Sequence, residues 1–454
     1  MADRSQQLVV DRAGRLVRPA LFAIGTAAAL ALATTSGAAP ATGTTMVGAA
    51  RAGTSAADFY AARKQRPLWI ARDGNSAAAQ QLIAHLKNAE VDGLKSRAYR
   101  VANLERALRA ARGGDSRAVA TADRMISDAF VAYARDMRRL PSAPMIWVDS
   151  SLLQSDLSPA TLLRQAAAAP SLDRFVADIE WMHPLYAGIR RAIASGQGRN
   201  KAERALLRLN LDRARVLPAT GKFVVVNAAD ARLTMYEGAR AIDSMKVVVG
   251  KPIHPTPMMA ANIRFTSLNP YWNVPSDLAA ERIAPNVVKL GLPYLKEKGY
   301  QVLSGWDDKA KVVNPATVDW ASVAAGQREI RLRQLPGPAN SMGNMKFMFP
   351  NSQGIYLHDT PQKELLSEAS RMFSGGCVRL EDAPRFARWL YGKPLRAPSS
   401  KPEIRVDLPK PVPVYLTYIT ALPAGGTLTY LPDVYGRDAQ ALAVGKKTRV
   451  LAGR

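Results

Sequence analysis

The sequence predicts an α+β protein of more than one domain, an all-α N-terminal domain followed by a mainly β domain. Three observations carry this. A chain of 454 residues, 48% of them hydrophobic, has material for more than one core. From residue 58 to about 213, apolar residues recur at helical spacing. At Pro218 the pattern changes to short β-branched or alternating runs.

The N-terminus comes first in the chain. Arg12, Arg15 and Arg18 precede an apolar stretch over 19–33 and a small-residue tract over 36–41. A charged region, a short apolar core and an exit of small residues describe a secretory signal peptide over 1–41. The apolar core falls short of the ~20 residues that span a bilayer, which leaves an uncleaved N-terminal anchor as the competing reading. Residues 42–57, rich in Ala, Gly, Thr and Ser, read as a flexible linker.

In the helical domain, expected over 58–215, Leu82, Leu86 and Ala89 share a face before Gly93. Val101, Leu104, Leu108 and Ala111 repeat the pattern before Gly113-Gly114, and Ile126, Phe130, Tyr133 and Met137 form a third stripe. Ser158-Pro159 and His183-Pro184 are helix starts. Such stripes predict a core rather than a ligand site.

The β domain is expected over 218–422, with strands at 223–226, 233–236 and 245–249. Residues 276–328 read as a partly helical insertion, clearest over 285–295. Residues 412–419 and 425–430 read as a last hairpin. With a helical tail, it makes a C-terminal piece (423–454) packed on the β domain.

Lys+Arg 62 against Asp+Glu 37 leaves a net charge of +25, which favours anionic surroundings. No basic run reaches five residues, so the charge also fits solvated faces. No zinc-spaced cluster, phosphate-binding loop or RNA-binding aromatic signature occurs, which argues against nucleic acid as a partner. His85, His183 and His254 read as structural, and a metal centre lacks ligands.

The chemistry concentrates in residues 355–380. This stretch holds the chain's one cysteine, Cys377, and one of its four histidines, His358. An exported chain with one cysteine cannot pair it internally, so the thiol is left for chemistry or is simply buried. The run before His358 reads as a strand that delivers the imidazole at its end, broken by Asp359-Thr360-Pro361. Gly375 and Gly376 allow a tight turn, and a helix start follows at Glu381-Asp382 with Pro384. Cys377 is therefore expected near a helix N-terminus, where free N–H groups lower a thiol pKa and hold an oxyanion.

The pattern HDTP…S-x-G-C-V-R resembles the active-site signature of the L,D-transpeptidases (YkuD-type catalytic domain), in particular the YcbB-like branch. Many members carry His where this chain has Gly375. The helical half is similar to that branch's scaffold domain at FY…RPLW (59–69) and at Ala89, Gly93, Leu94 and Tyr99. The small peptidoglycan-binding module often found in the branch is missing. The insertion over 276–328 is, by the same resemblance, a capping subdomain over the active site, against the alternative of an ordinary surface excursion.

The resemblance implies Cys377 as nucleophile and His358 as base, oriented by a backbone carbonyl beside it, that of Asp359. Backbone N–H groups of Gly376 and Cys377 would hold the oxyanion. Arg379 would bind a stem-peptide carboxylate, with an ion pair to Glu381 or Asp382 as the alternative. Tyr356 is open between core and cleft lining, and Ser374 between contacting substrate and bracing the turn. The expected reaction is acyl transfer between peptidoglycan stem peptides through a cysteine thioester, forming 3-3 cross-links. It takes place in the periplasm without cofactor or metal, and carbapenems would acylate Cys377. Other wall-synthesis enzymes are open as partners, and membrane contact only through an uncleaved signal segment. A hydrolase of the same fold (L,D-carboxypeptidase or endopeptidase) and a non-catalytic wall-binding scaffold are the other readings.

Overall fold

The computed structural model describes residues 54–71, 76–139, 144–153, 157–307 and 309–451. The expected signal peptide and most of the linker lie outside them. Among the described residues, eight α-helices build the N-terminal part: α1 (Ala56–Ala62), α2 (Ala77–Lys87), α3 (Val101–Ala111), α4 (Ser116–Arg138), α5 (Pro159–Ala168), α6 (Leu172–Ala177), α7 (Pro184–Ala194) and α8 (Lys201–Arg215). Capping side chains set several starts: Asp115 receives the Ala118 N–H, Ser158 that of Thr161, and Asn200 that of Glu203. A buried polar knot ties the bundle. The Asp92 carboxylate accepts from the Tyr133 and Tyr186 hydroxyls, both at 2.7 Å, and from Arg190 Nε at 2.9 Å. His85 joins through Arg190 and the Val176 carbonyl.

The second part is a sheet of ten strands. One strand, β1 (Ile146–Trp147), comes from the helical part. The others are β2 (Lys222–Asn227), β3 (Arg232–Glu237), β4 (Arg240–Gly250), β5 (Met259–Leu268), β10 (Met345–Met348), β11 (Leu357–His358), β12 (Met372–Ser374), β13 (Val378–Leu380) and β14 (Ile404–Thr417). The long strand β14 pairs with β2 on one side and β5 on the other, so the sheet closes on itself. Alternation along β2 sorts the two faces. Val224 and Val226 point into the core of the β domain, where helix α13 (Ala383–Tyr391) contributes Phe386. Phe223 and Val225 point out, join Tyr236, Ala260 and Tyr415, and merge with the helical core. The two parts thus share one hydrophobic cluster across the outer face of the sheet.

Between β5 and β10 the chain builds a cap with its own small core, including Trp272, Val274, Leu278, Ile283, Trp320 and Leu332. Its sheet, in the order β6 (Trp272–Val274), β9 (Arg331–Gln334), β7 (Tyr300–Leu303), β8 (Val312–Val313), carries short helices α9 (Ser276–Leu278), α10 (Ala284–Leu290), α11 (Pro293–Glu297) and α12 (Trp320–Ala324). Strands β6 and β9 fall just outside the span read from sequence, because each pairs only with strands of the cap.

The C-terminal expectation needs correction. Residues 404–417 belong to the main sheet, and the last hairpin is β15 (Ala421–Ala424) with β16 (Thr427–Tyr430). This hairpin packs on α7, where Gly188 lies against the Pro423 ring, rather than on the β domain alone. The final helix α14 (Arg437–Leu451) is tied to α8 by a buried Arg213–Asp438 ion pair.

Candidate active site

Strand period and register assemble the site. Strands β10, β11 and β13 lie side by side, with Lys346 opposite His358 and His358 opposite Arg379. Phe347, Leu357, Val378 and Leu380 enter the core. By alternation, Lys346, Tyr356, His358, Cys377 and Arg379 share the opposite face. Cys377 immediately precedes β13, and the N–H of its neighbour Val378 donates to the Tyr356 carbonyl at 3.1 Å. That bond sets the cysteine beside Tyr356, one diagonal step from His358. Tyr356 packs against the cores of both the β domain and the cap. Its ring lies 5.8 Å from the imidazole, and its hydroxyl lies against the thiol.

His358 is buried, and its Nδ1 meets the Asp359 carbonyl oxygen at 2.5 Å. With Nδ1–H donated there, Nε2 is the nitrogen able to take a proton. Burial, then the positive charges of Arg379, Lys346 and Lys363, push its pKa down to about 3. The Asp359 carboxylate does not touch the ring: it accepts from the Asn344 N–H at 3.1 Å and pairs with Lys363 at 2.8 Å.

The half-buried Cys377 thiol donates to the Gly354 carbonyl at 3.6 Å and forms no hydrogen bond with the imidazole in this conformation. Burial pushes its pKa up, opposed by Tyr356, Arg379 and Lys346. This reverses the expectation of a helix-lowered thiol. Strand β13 separates Cys377 from α13, whose N-cap is Asp382, so the helix N-terminus does not face the sulfur. Both shifts favour the uncharged forms, a thiol and a neutral imidazole.

The turn corrects a second expectation. Ser374 Oγ accepts the Gly376 N–H at 3.1 Å and donates to the Cys377 carbonyl at 2.6 Å. Ser374 therefore braces the turn, and the Gly376 N–H is consumed in doing so. The Cys377 N–H has no partner among the described residues and is the donor left for an oxyanion. Gly376 sits at φ +117°, where a Cβ would also press on Ile355. Thr256 holds the turn from behind: its buried hydroxyl donates to the Gly376 carbonyl at 2.8 Å and receives the Gly250 N–H at 2.9 Å.

Gly375 faces the cap, close to Leu278. Arg379 does not pair with Glu381 or Asp382, both of which lie against Arg385. Its Nη1 donates to Gln362 at 2.7 Å. Of the other histidines, His85 bonds Arg190 and the Val176 carbonyl in the helical part, His183 packs on Phe223 and Tyr236 of the sheet, and His254 lies 3.5 Å from Glu281 of the cap. Sequence reading missed Lys346, Thr256 and Gln362, and no local motif marks them. A lysine in a strand one register away from a histidine is visible only once the strands pair. No group of three or more His, Cys, Asp or Glu side chains suited to a metal occurs among the described residues.

Residues 221–414 match the family model described as the L,D-transpeptidase catalytic domain, and residues 54–193 the one described as the scaffold domain. A Haemophilus influenzae protein named "Putative L,D-transpeptidase" is 30% identical over 400 residues, 85% of this chain and 78% of that protein. Among solved structures, an L,D-transpeptidase from Mycobacterium smegmatis aligns at 17% identity over 43% of this chain and 58% of its own length, with a TM-score of 0.21. An Enterococcus faecium L,D-transpeptidase mutant aligns at 10% identity over 45% and 52%, with a TM-score of 0.20. The sequence matches carry the assignment without these two structures: the chain belongs to the L,D-transpeptidase family, with a scaffold domain ahead of its YkuD catalytic domain.

Proposed function

We propose that this chain is a peptidoglycan L,D-transpeptidase that forms 3-3 cross-links between stem peptides through a Cys377 thioester. The observation that carries the reading is the shared face of β11 and β13, which sets Cys377 diagonally beside a His358 whose Nδ1 is already held by a backbone carbonyl. In the donor step, Sγ attacks the carbonyl of the diamino acid's L-centre while His358 Nε2 takes the thiol proton. The Cys377 N–H stabilises the oxyanion, where loss of one donor typically costs ~10²–10³ in rate. The C–N bond then breaks, and the imidazolium returns its proton to the leaving D-Ala amine. The side-chain amine of a second stem attacks the thioester, its proton passes to Nε2, and the expelled thiolate recovers it. Arg379 holds a substrate carboxylate. We place the reaction in the periplasm, on the strength of the secretory pattern in residues 1–41.

The test is to incubate the mature protein and a Cys377→Ala variant with tetrapeptide muropeptides and identify products by mass spectrometry. Cys377-dependent dimers with release of D-Ala are expected. Tripeptides alone would make it a hydrolase. No Cys377-dependent product would leave a wall-binding scaffold.

A further inference from the structure

Arg379 is buried, 8% exposed, yet no carboxylate forms an ion pair with it among the described residues, Glu381 and Asp382 both lying against Arg385. Its Nη1 is occupied by Gln362, while its Nε is buried without an acceptor among the described residues. A buried guanidinium with an orphaned N–H is costly unless something anionic completes it. The cap supplies a second guanidinium. Arg282, in a π-helical turn of the cap (Ala279–Ile283), reaches down to the Phe373 carbonyl at 3.4 Å, just before the Cys377 turn. The turn that carries it is held to the floor twice more. Leu278 lies against Gly375, and Glu281 lies 3.8 Å from Lys251 and 3.5 Å from His254. Arg379 feels the positive charge of Arg282, and after it Cys377 and Glu364. Glu364 attracts Arg379 without forming an ion pair with it, so two like charges, one from the cap and one from the floor that carries Cys377, form a fork for an anion.

We infer that Arg282 and Arg379 together clamp one substrate carboxylate, the cap supplying one guanidinium and the catalytic floor the other. The identity of the ligand as a stem peptide rests on the function proposed above. Such a peptide carries two candidates near the scissile bond: the C-terminal carboxylate of the leaving residue, and a carboxylate on the diamino-acid side chain. A carboxylate bridging both arginines would couple substrate binding to seating of the cap.

The test compares the parent with Arg282→Gln on three donors: the free-acid tetrapeptide, its C-terminal amide, and the form amidated on the diamino-acid side chain. For donors that keep the clamped carboxylate, KM is expected to rise about tenfold with a much smaller change in kcat. The donor lacking that carboxylate should have a high KM in both proteins, which names the group clamped. A second readout needs no transpeptidation: the ratio of Cys377 alkylation rates by iodoacetate and iodoacetamide should fall severalfold in Arg282→Gln, and Arg282→Lys should recover part of it. A falling ratio with no activity on any stem peptide would keep the clamp and discard the stem peptide as ligand. An unchanged ratio, or an equal KM rise on all three donors, would overturn the clamp and leave Arg282 a brace for the cap.

Discussion

At the scale of single residues, the site works with groups held neutral by burial. Tyr356 bears on this directly, because its hydroxyl lowers the thiol pKa that burial raises. In Tyr356→Phe, Cys377 alkylation by iodoacetamide at pH 8 should slow severalfold, and its pH midpoint should move further up. An unchanged midpoint would remove the phenol from the electrostatics of the sulfur. His358, pushed down to about 3, should also put no acidic limb near the ordinary histidine value of 6.5 into the pH–rate profile.

His183 shows the same burial effect away from the site. It caps α7 by accepting the Leu185 N–H and packs on Phe223 and Tyr236, and burial pushes its pKa to about 3. Between that value and 6.5 the unfolded chain binds a proton that the folded chain does not, so stability falls as pH drops through this window and is flat above it. His183→Asn keeps the cap. It should reduce the slope of stability against pH by up to one proton, about 1.4 kcal/mol per pH unit, in urea titrations between pH 5 and 6.5. An unaltered slope would mean that His183 titrates normally in the fold.

At the scale of elements, the catalytic turn depends on a loop distant in sequence. The segment after β4 sends Thr256 under the turn, where one hydroxyl serves Gly250 and Gly376 at once. Thr256→Val keeps the shape but leaves a buried N–H and a buried C=O unpaired. The expected cost is about 2–4 kcal/mol of stability, with a loss of kcat larger than any change in KM. Urea unfolding and steady-state kinetics check both; retention of full kcat would show that the turn holds itself. Helix α13 contributes more simply. Its N-cap Asp382 receives the Arg385 N–H at 2.9 Å, so Asp382→Ala should cost about 1 kcal/mol with little change in catalysis.

At the scale of the whole molecule, the helical part and the β part are halves of one core. Phe223, Val225, Tyr236 and Tyr415 are covered by the scaffold, and β1 is lent to the sheet by it. The β domain expressed without residues 54–215 would expose that apolar face, and it should aggregate or bind a hydrophobic dye strongly. A monomeric, dye-silent fragment would show that the interface is dispensable. The Arg213–Asp438 pair ties α14 to α8. Asp438→Asn leaves a buried guanidinium short of its anion and should cost about 3–5 kcal/mol in thermal or urea unfolding.

Much of this was legible in the chain itself. Helical stripes ending at Gly93 and Gly113, and the switch to β-branched runs after Pro218, follow from local periodicity, which tertiary context here leaves intact. The stretch with His358, the glycine turn and Cys377 is contiguous, so it stands out before any folding is known. What the sequence misassigned are features decided by strand pairing and by hydrogen bonds that only the folded backbone sets up. Residues 412–419 look like half a hairpin until most of them are seen in β14, which closes the sheet between β2 and β5. The thiol looks activated by a helix until β13 is seen to intervene, and Gly376 looks like an oxyanion donor until Ser374 takes its N–H. Local chemistry determined which residues could react. Only the tertiary structure decided which N–H stays free, how burial shifts each proton, and that Arg282 of the cap reaches the strand before the Cys377 turn, because desolvation and charge pairing depend on neighbours that sequence distance does not reveal.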